Sequence, residues 1–198
     1  MIAIFDYGAG NLRSVENTLE AVGAKYRIVR GAAGLLEASK IILPGVGHFG
    51  QMMRALDGLR VREALCGAIR RGTPFLGICL GLHALFEASD EAPGVFGLGL
   101  FEGVVRRFPS GVRVPHMGWN RLAWSGAPRL MAGLARSPYV YFAHSYYVPV
   151  TPATAATCTY SVPYTAVLEE GNTFGVQFHP EKSGPLGLAL MRNFVELH

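Results

Sequence analysis

TPFLGICLGLHALFE, residues 73–87, joins two patterns at a single cysteine. Its first part is typical of a buried strand and its second part of an apolar helix. Gly77 and Gly81 flank Cys79 at the junction, in the spacing G-x-C-x-G. A strand–turn–helix with glycine on both sides of the central residue is the elbow that presents a nucleophilic serine in G-x-S-x-G. Because glycine makes such a strained turn sterically possible, we predict a sharp turn at Cys79, with a helix from Leu80.

The segments around this turn alternate between strand and helix patterns. IAIF, KYRIV, KIILPG and PFLGI are short apolar runs, typical of strands that are covered on both faces. Between them, Leu12, Val15, Leu19 and Val22 recur at helical spacing, and residues 49–71 form a second helical region. This βαβα order predicts an α/β fold with an open, mostly parallel sheet and helices on both faces.

The second half of the chain has a different texture. After Gly94, glycine and proline become frequent, and β-like runs dominate: FEGVVRRF, YVYFAHSYYV, ATCTYSV, TAVLEE and TFGVQF. These runs predict antiparallel additions to the sheet, and GPLGLALMRNFVEL predicts a closing helix. The chain has 198 residues, of which 50% are hydrophobic and 16% charged. This composition favours one domain over residues 1–198 with a sizeable core.

Cysteine spacing and charge argue against several classes of protein. Cys66, Cys79 and Cys158 are an odd number at wide spacing without C-x-x-C, so we expect no disulfide framework, no structural zinc site and a cytoplasmic location. We also expect no other metal and no cofactor. The N-terminus lacks a basic signal-peptide region. The uncharged run 137–168 is interrupted by prolines, so we expect no membrane span. A net charge of +4 with scattered arginines favours a solvated surface over nucleic-acid binding.

Cys79 has the sequence context of a nucleophile. At the start of a helix, the macrodipole and the free N–H groups favour the thiolate. The N–H of Leu80 would then lie where an oxyanion develops during acyl transfer. The alternative is that Cys79 is a small buried hydrophobe at a tight crossing. Neither Cys66 nor Cys158 has glycines at the G-x-C-x-G spacing, and we interpret both as core residues.

GVQFHPEKSG, residues 175–184, supplies a base and a partner for it. His179 follows a strand-like run, and Pro180 stiffens the link to Glu181. Residues i and i+2 of an extended segment project the same way, so Glu181 can accept the imidazole N–H and leave the other nitrogen for a thiol. The alternative is a solvated His–Glu pair at a strand end.

ILPGVGHFG admits two interpretations. Gly45, Gly47 and Gly50 form G-x-G-x-x-G after a strand, the dinucleotide-binding fingerprint. That fingerprint requires an acid at the end of the next strand, whereas the next strand here ends at Cys79. Alternatively, the N–H of Val46 or Gly47 completes an oxyanion hole with Leu80. Both loops follow parallel strands and are therefore expected at one sheet edge.

Six motifs together resemble one family. DYGAGN, PGVGHFG, GICLGLHALFE, PHMGWN, YFAHSYY and GVQFHPEKSG are similar, in order and over nearly the whole chain, to the triad (class I) glutamine amidotransferases. Within them, they most closely resemble the glutaminase subunits of imidazole glycerol phosphate synthase. The resemblance implies a flavodoxin-like domain that hydrolyses L-glutamine to glutamate and ammonia. It also implies a separate (β/α)8 cyclase subunit as partner, which uses the ammonia to make imidazole glycerol phosphate and aminoimidazole carboxamide ribonucleotide in histidine biosynthesis.

The resemblance also implies roles for individual residues. Cys79 is the nucleophile, His179 the base and Glu181 its orienting carboxylate. The oxyanion hole is formed by Val46, Gly47 and Leu80. The substrate is bound by His83, His144, Ser145 and Tyr146. The partner interface includes Asn11, Met117, Trp119, Tyr141 and Lys182. His83 departs from the family, which commonly has glutamine there, and a neutral histidine without a role in binding is the alternative.

Three other functions compete with this interpretation. One is a different free-standing glutaminase, such as the one that serves pyridoxal phosphate synthesis; PHMGWN and HPEKSG argue against it. A nucleotide-binding or oxidoreductase domain would use the loop of residues 45–50. A non-catalytic subunit of the same fold would not need an intact Cys–His–Glu set.

Overall fold

The computed structural model describes residues 1–197, so the last residue of the predicted 1–198 domain lies outside the described part. The strands are β1 (Ile2–Phe5), β2 (Tyr26–Val29), β3 (Lys40–Gly45), β4 (Phe75–Cys79), β5 (Phe86–Ser89), β6 (Phe101–Arg107), β7 (His116–Arg121), β8 (Tyr139–His144), β9 (Tyr146–Tyr147), β10 (Thr154–Tyr160), β11 (Val162–Glu170) and β12 (Thr173–Val176). The α-helices are α1 (Leu12–Ala21), α2 (Ala32–Leu36), α3 (Phe49–Gly58), α4 (Arg62–Arg70), α5 (Leu80–His83) and α6 (Gly184–Glu196).

A seven-stranded sheet forms the centre, in the order β10-β11-β12-β4-β3-β1-β2. The five strands from β12 to β2 pair in parallel, and β10 and β11 add antiparallel strands at one edge. The predicted α/β class and the antiparallel additions are therefore confirmed. The run TFGVQF is the exception: β12 is antiparallel to β11 but parallel to β4, because the β11–β12 hairpin reverses the chain once more.

Alternate residues of the central strands point into two separate hydrophobic clusters. Leu43 of β3 packs on one face with Met53 of α3. Its neighbour Ile42 packs on the other face with Leu19 of α1 and Leu190 of α6. All five side chains are completely buried. Helices thus cover both faces, which explains why these strands are apolar throughout rather than alternating.

The helix after Cys79 is much shorter than the sequence predicts. α5 ends at His83, and the predicted helical run ALFE enters β5, which pairs with β6. The Ala84 carbonyl accepts from the Leu98 N–H at 2.7 Å, and the Leu85 carbonyl from the Leu100 N–H at 2.9 Å. These long-range bonds take the carbonyls that would otherwise extend the helix. The apolar run was misread because its burial comes from this tertiary pairing.

Other local differences are smaller. The helical region 49–71 is two helices, separated at Arg60, whose φ of 53° breaks the helical geometry. The sequence analysis did not predict α2 or β7. β7 and β8 pair as a two-stranded antiparallel ribbon outside the main sheet. Within residues 1–197, none of the helices combines the length and apolarity needed to cross a bilayer.

Candidate active site

The elbow, residues 77–81, brings Cys79 to the carboxyl edge of the central sheet. Cys79 ends β4 with φ of 53° and ψ of −104°, a strained conformation for a residue other than glycine. The two flanking glycines are required by packing. A Cβ on Gly81 would lie 2.0 Å from the Leu43 oxygen, and one on Gly77 would lie 2.4 Å from the Gly81 oxygen. The predicted sharp turn at Cys79 is therefore confirmed.

His179 and Glu181 pair as the sequence predicts, although the backbone differs. Their Nδ1 and Oε1 atoms lie 2.8 Å apart, and both side chains are only 4% exposed. Pro180–Lys182 forms a 3-10 turn, so the predicted extended link between them is wrong. The turn still brings the carboxylate back to the ring. Since Glu181 accepts the Nδ1 proton, Nε2 is left to face other groups.

The charge of His179 is set by its neighbours. Burial by itself lowers the pKa of His179, but interactions with Cys79 and Glu181 outweigh it and raise the pKa to about 10. The imidazolium form is therefore stabilised beside the cysteine. A positively charged imidazole that can deliver a proton is what an amine leaving group requires.

Cys79 and His179 open into one pocket of about 200 Å³. Its wall includes all the residues that the resemblance assigns to the oxyanion and substrate sets: Val46, Gly47, Leu80, His83, His144, Ser145 and Tyr146. The structure thus brings together residues that are up to 133 positions apart along the chain, counting from Val46 to His179 (179 − 46). Their individual roles stay predictions.

The 45–47 loop follows β3, and Gly45 is the register partner of Cys79. The Val46 N–H donates to the hydroxyl of Tyr7 at 3.3 Å, and the same hydroxyl donates to the Val46 carbonyl at 3.2 Å. Burial raises the pKa of Tyr7 to about 12, so the hydroxyl keeps its proton. In this arrangement the Val46 N–H is engaged by Tyr7 and does not point freely into the pocket.

His144 holds the segment that leads into Ser145 and Tyr146. Its Nδ1 donates to the Tyr146 carbonyl at 2.8 Å, because a carbonyl can only accept. Its Nε2 therefore accepts from His116 Nδ1, 3.2 Å away. Burial lowers the pKa of His116 to about 4 and that of His144 well below its usual value. Both rings are thus neutral at physiological pH, and the pair acts as a fixed scaffold.

Four of the five predicted interface residues form one surface. Met117 and Trp119 of β7 are 65% and 56% exposed. Tyr141 of β8 packs edge-on against Trp119, with 6.2 Å between the ring centroids, and Lys182 Nζ lies 5.7 Å from the centre of the Tyr141 ring. Asn11, at the start of α1, is exposed but separate in sequence and element. We call Met117, Trp119, Tyr141 and Lys182 the ribbon patch.

The ribbon patch is hydrogen-bonded to the triad. The His179 N–H donates to the Tyr141 carbonyl at 2.9 Å. The Tyr141 N–H donates to Ser183 Oγ at 3.0 Å, and that hydroxyl donates to the His179 carbonyl at 2.7 Å. A chain of hydrogen bonds therefore joins the backbone of Tyr141 in the ribbon to the backbone of His179.

The sequence analysis missed Tyr7, His116, Gln177 and Ser183. Tyr7 and His116 lie inside quoted motifs, DYGAGN and PHMGWN, but only long-range contacts reveal what they touch. Gln177 left a signal: it is a polar residue in the apolar run FGVQF and is completely buried. A buried amide requires partners, and its position two residues before His179 pointed to the same site.

Residues 3–197 match the family model described as class I glutamine amidotransferase. The chain belongs to the class I glutamine amidotransferase family. Among curated relatives, a protein from Methanothermobacter thermautotrophicus named imidazole glycerol phosphate synthase subunit HisH is 50% identical over 198 residues, covering 100% of this chain and 98% of the relative. A protein of the same name from Deinococcus radiodurans is 48% identical, covering 98% of this chain and 92% of the relative. The predicted family, and the expectation of an enzyme, are confirmed.

Solved structures share the fold. One described as a glutamine amidotransferase superposes with a TM-score of 0.77 at 19% identity, covering 98% of this chain and 97% of the other. PurLQS from Thermotoga maritima gives 0.75 at 20% identity, covering 98% and 96%. At these identities the likeness concerns the fold alone.

Proposed function

We propose that this chain hydrolyses L-glutamine to L-glutamate and ammonia through a thioester on Cys79. The observation that carries the proposal is the strained Cys79 elbow opening into the same pocket as the buried His179–Glu181 pair. The relatives named as imidazole glycerol phosphate synthase subunits support this choice of reaction within the family.

The first half of the reaction forms the thioester. The Cys79 thiolate attacks the side-chain amide carbon, and the amide oxygen becomes an oxyanion. His179, held as the imidazolium, donates its proton to the departing nitrogen. The C–N bond breaks, ammonia leaves, and His179 is neutral.

The second half returns the enzyme to its starting state. Neutral His179 takes a proton from water as the water oxygen attacks the thioester carbon. A second oxyanion collapses, the C–S bond breaks, and glutamate and the Cys79 thiolate are released. Glu181 stays ionised throughout and orients the ring.

We place the oxyanions against backbone N–H groups on the two loops. The Leu80 N–H lies in the first turn of α5, where no earlier carbonyl of the helix reaches it. Val46 and Gly47 line the opposite wall. Since Tyr7 engages the Val46 N–H, we propose that this donor joins the hole only after the 45–47 loop rotates its peptide; the Gly47 N–H is the alternative donor.

We further propose that a (β/α)8 cyclase subunit is the partner and completes this hole. Met117 and Trp119 of the ribbon patch are exposed, and the backbone of Tyr141 is hydrogen-bonded to that of His179. Aromatic residues are common in protein interfaces, and a partner bound here could influence the triad through these hydrogen bonds. The word subunit in the relatives' names supports an assembly. Ammonia would pass to the cyclase, which makes imidazole glycerol phosphate and aminoimidazole carboxamide ribonucleotide, and Asn11 would lie at the same interface. A cytoplasmic location fits the free thiol of Cys79.

Labelling with a diazo-oxo-norleucine, a glutamine-like electrophile, tests the proposed nucleophile. Peptide mass spectrometry is expected to find the adduct on Cys79, with Cys66 and Cys158 unmodified. In the assembled enzyme, Cys79→Ala is expected to abolish glutamine-dependent synthesis and to leave synthesis from added ammonia intact. An adduct on either other cysteine would reject the assignment.

A further inference from the structure

Gln177 contacts the sulfur of Cys79 from inside the protein. The residue is completely buried, and its Nε2 lies 3.7 Å from Cys79 Sγ. Its backbone N–H is bonded to the Ala166 carbonyl at 2.9 Å, which fixes the residue to β11. The side chain therefore has little freedom to move away from the thiol.

The other end of the Gln177 amide is held by His83. The Oε1 of Gln177 and the Nε2 of His83 lie 2.7 Å apart, and His83 is only 3% exposed. The distance between the two residues is set by tight packing of α5 on β12. A Cβ on Gly175 would clash with Leu82 Cδ1, so the helix packs directly on the strand and cannot approach it more closely.

These contacts determine which way the amide points. With Oε1 towards His83, the imidazole donates Nε2–H and the Gln177 NH2 group faces the sulfur. With the amide reversed, its oxygen would face the thiolate, which is a repulsive contact between two acceptors. It would also force the His83 proton onto Nδ1, which has no partner among residues 1–197 and would become a buried donor without an acceptor.

His83 suits this task because it is neutral. Burial lowers the pKa of His83 to about 4, although the bond to Gln177 opposes the shift. A single ring proton, placed on Nε2, is then available at physiological pH. A cationic side chain in this position would instead add charge beside the nucleophile.

We infer that Gln177 is a further catalytic residue, which donates a hydrogen bond to the Cys79 thiolate, and that His83 is the positioning residue that orients its amide. The inference rests on Cys79 being the nucleophile of the proposed function. The fold explains why the thiolate needs such a donor. Helix α5 is a single turn, so its dipole is weaker than that of a long helix, and individual hydrogen-bond donors contribute more to stabilising the thiolate. His83 acts through Gln177 rather than by touching glutamine.

The direct test is alkylation of Cys79 by iodoacetamide, measured against pH without glutamine and assigned by peptide mass. Gln177→Leu removes the donor to Cys79, and His83→Leu removes the residue that orients the Gln177 amide. His83→Gln keeps an amide that can still donate to Gln177. In both leucine variants we expect the midpoint of the pH profile to rise and the rate at neutral pH to fall about tenfold, the size expected for a hydrogen bond to a charged group. His83→Gln is expected to restore most of the rate.

A double variant separates this inference from a structural effect. If His83 acts only through Gln177, adding His83→Leu to Gln177→Leu changes the alkylation profile no further. Thr165→Val is the matched control, because Thr165 is equally buried and bonds to Thr154 and the Pro149 carbonyl instead of Cys79. Its profile is expected to equal that of the parent.

Two outcomes would overturn the inference. One is an unchanged alkylation profile in both leucine variants; a raised KM for glutamine in His83→Leu would then make His83 a substrate contact. The other is an equal shift in Thr165→Val, which would make the effect one of general destabilisation. Because alkylation needs no turnover, these results are distinguishable from failure of the glutaminase proposal: a chain that alkylates as expected but does not hydrolyse glutamine would contradict the latter alone.

Discussion

Two neighbouring loops at the edge of the sheet differ sharply in how tightly they are held. In the elbow, both flanking glycines are packed against backbone, and a Cβ on either would clash at 2.0–2.4 Å. In the 45–47 loop, Gly45 is also packed, since a Cβ there would lie 2.7 Å from the Gly81 nitrogen, but Gly47 has φ of 95° with open space around it and Val46 is 39% exposed. The nucleophile is therefore fixed by packing, whereas Val46 and Gly47 on the opposite wall of the same pocket are not.

Hydrogen bonding also differs between the two loops, and again Cys79 is held more firmly than Val46. Cys79 is approached by several buried groups, among them Gln177 and His179. Val46 is held by one tyrosine hydroxyl. A site with one rigid and one releasable wall can hold its nucleophile ready while acceptance of the oxyanion depends on a separate event. This arrangement suits an enzyme whose ammonia is wasted unless a partner can use it.

The largest expected effect breaks the rigid side. Gly81→Ala would place a Cβ 2.0 Å from the Leu43 carbonyl, and backbone cannot yield as a side-chain tip can. We expect a loss of about 3 kcal/mol or more of stability, or no folded protein, measured as the midpoint of thermal or urea unfolding. Gly47→Ala meets no atom within 4 Å and is the matched comparison, with a loss of about 1–2 kcal/mol from its positive φ alone. Equal losses would remove the contrast between the loops.

Variants of the triad have the next largest effect. His179→Ala is expected to lower glutamine hydrolysis by roughly a hundred- to ten-thousandfold, because proton transfer is lost. Glu181→Gln keeps the transferring group and is expected to cost less. The assay is steady-state glutamate release with each variant in the same assembled enzyme. The reverse order would reject the division of roles between base and orienting carboxylate.

The pH profile of Glu181→Gln sharpens the same point. The Glu181 carboxylate is one of the groups that raise the pKa of His179 to about 10. Because the imidazolium must be present to protonate the leaving nitrogen, activity is expected to fall as pH rises towards that value. Removal of the negative charge lowers the pKa of His179, so the alkaline fall in kcat/KM should move to lower pH. A shift to higher pH, or none, would contradict the assigned interaction.

Tyr7→Phe tests whether the hydroxyl of Tyr7 holds Val46 in its present arrangement. The change removes one hydroxyl and frees both the N–H and the carbonyl of Val46. One hydrogen bond is worth about 0.5–1.5 kcal/mol, so basal glutamine hydrolysis by the isolated chain is expected to rise by roughly two- to tenfold. Tyr147→Phe is the control, since Tyr147 packs on Phe108 away from the loop. A fall in basal activity for Tyr7→Phe alone would mean that Tyr7 supports the active arrangement instead.

Lys182→Ala is expected to have the smallest effect. Lys182 is exposed beside the Tyr141 ring, and an ion pair from such a lysine to a carboxylate of the partner is worth about 0.2–1 kcal/mol. We expect association with the cyclase to weaken by roughly two- to fivefold, with an unchanged unfolding midpoint of the isolated chain. Titration calorimetry measures the former. Unaltered affinity together with unaltered activation would place the docking surface elsewhere.

Features that depend on residues close together in the chain were predicted correctly. G-x-C-x-G predicted the turn at Cys79, and the spacing in His-Pro-Glu predicted the pair, because both depend on residues close together in the chain. The parallel core followed from apolar runs separated by helical spacing. These features need no knowledge of what packs against them.

Features that depend on distant partners could not be predicted. ALFE looks helical by itself, but Ala84 and Leu85 form a turn and Phe86 begins β5, because the carbonyls of this run accept from N–H groups of residues 97–101. Tyr7 and Gln177 are single polar residues whose partners, Val46 and His83, lie dozens of positions away. A sequence pattern predicts the face on which a side chain is buried, but it does not predict which backbone group or sulfur atom that side chain contacts.

We expect the oxyanion wall to be incomplete until the partner docks. The measurement is steady-state glutaminase activity of the isolated chain, then with the cyclase, then with the cyclase and its nucleotide substrate. Since one oxyanion donor is worth roughly a hundred- to a thousandfold in kcat, we expect the rate to rise by about that factor from the first condition to the third. Equal rates in all three conditions would contradict the account and leave a constitutive glutaminase.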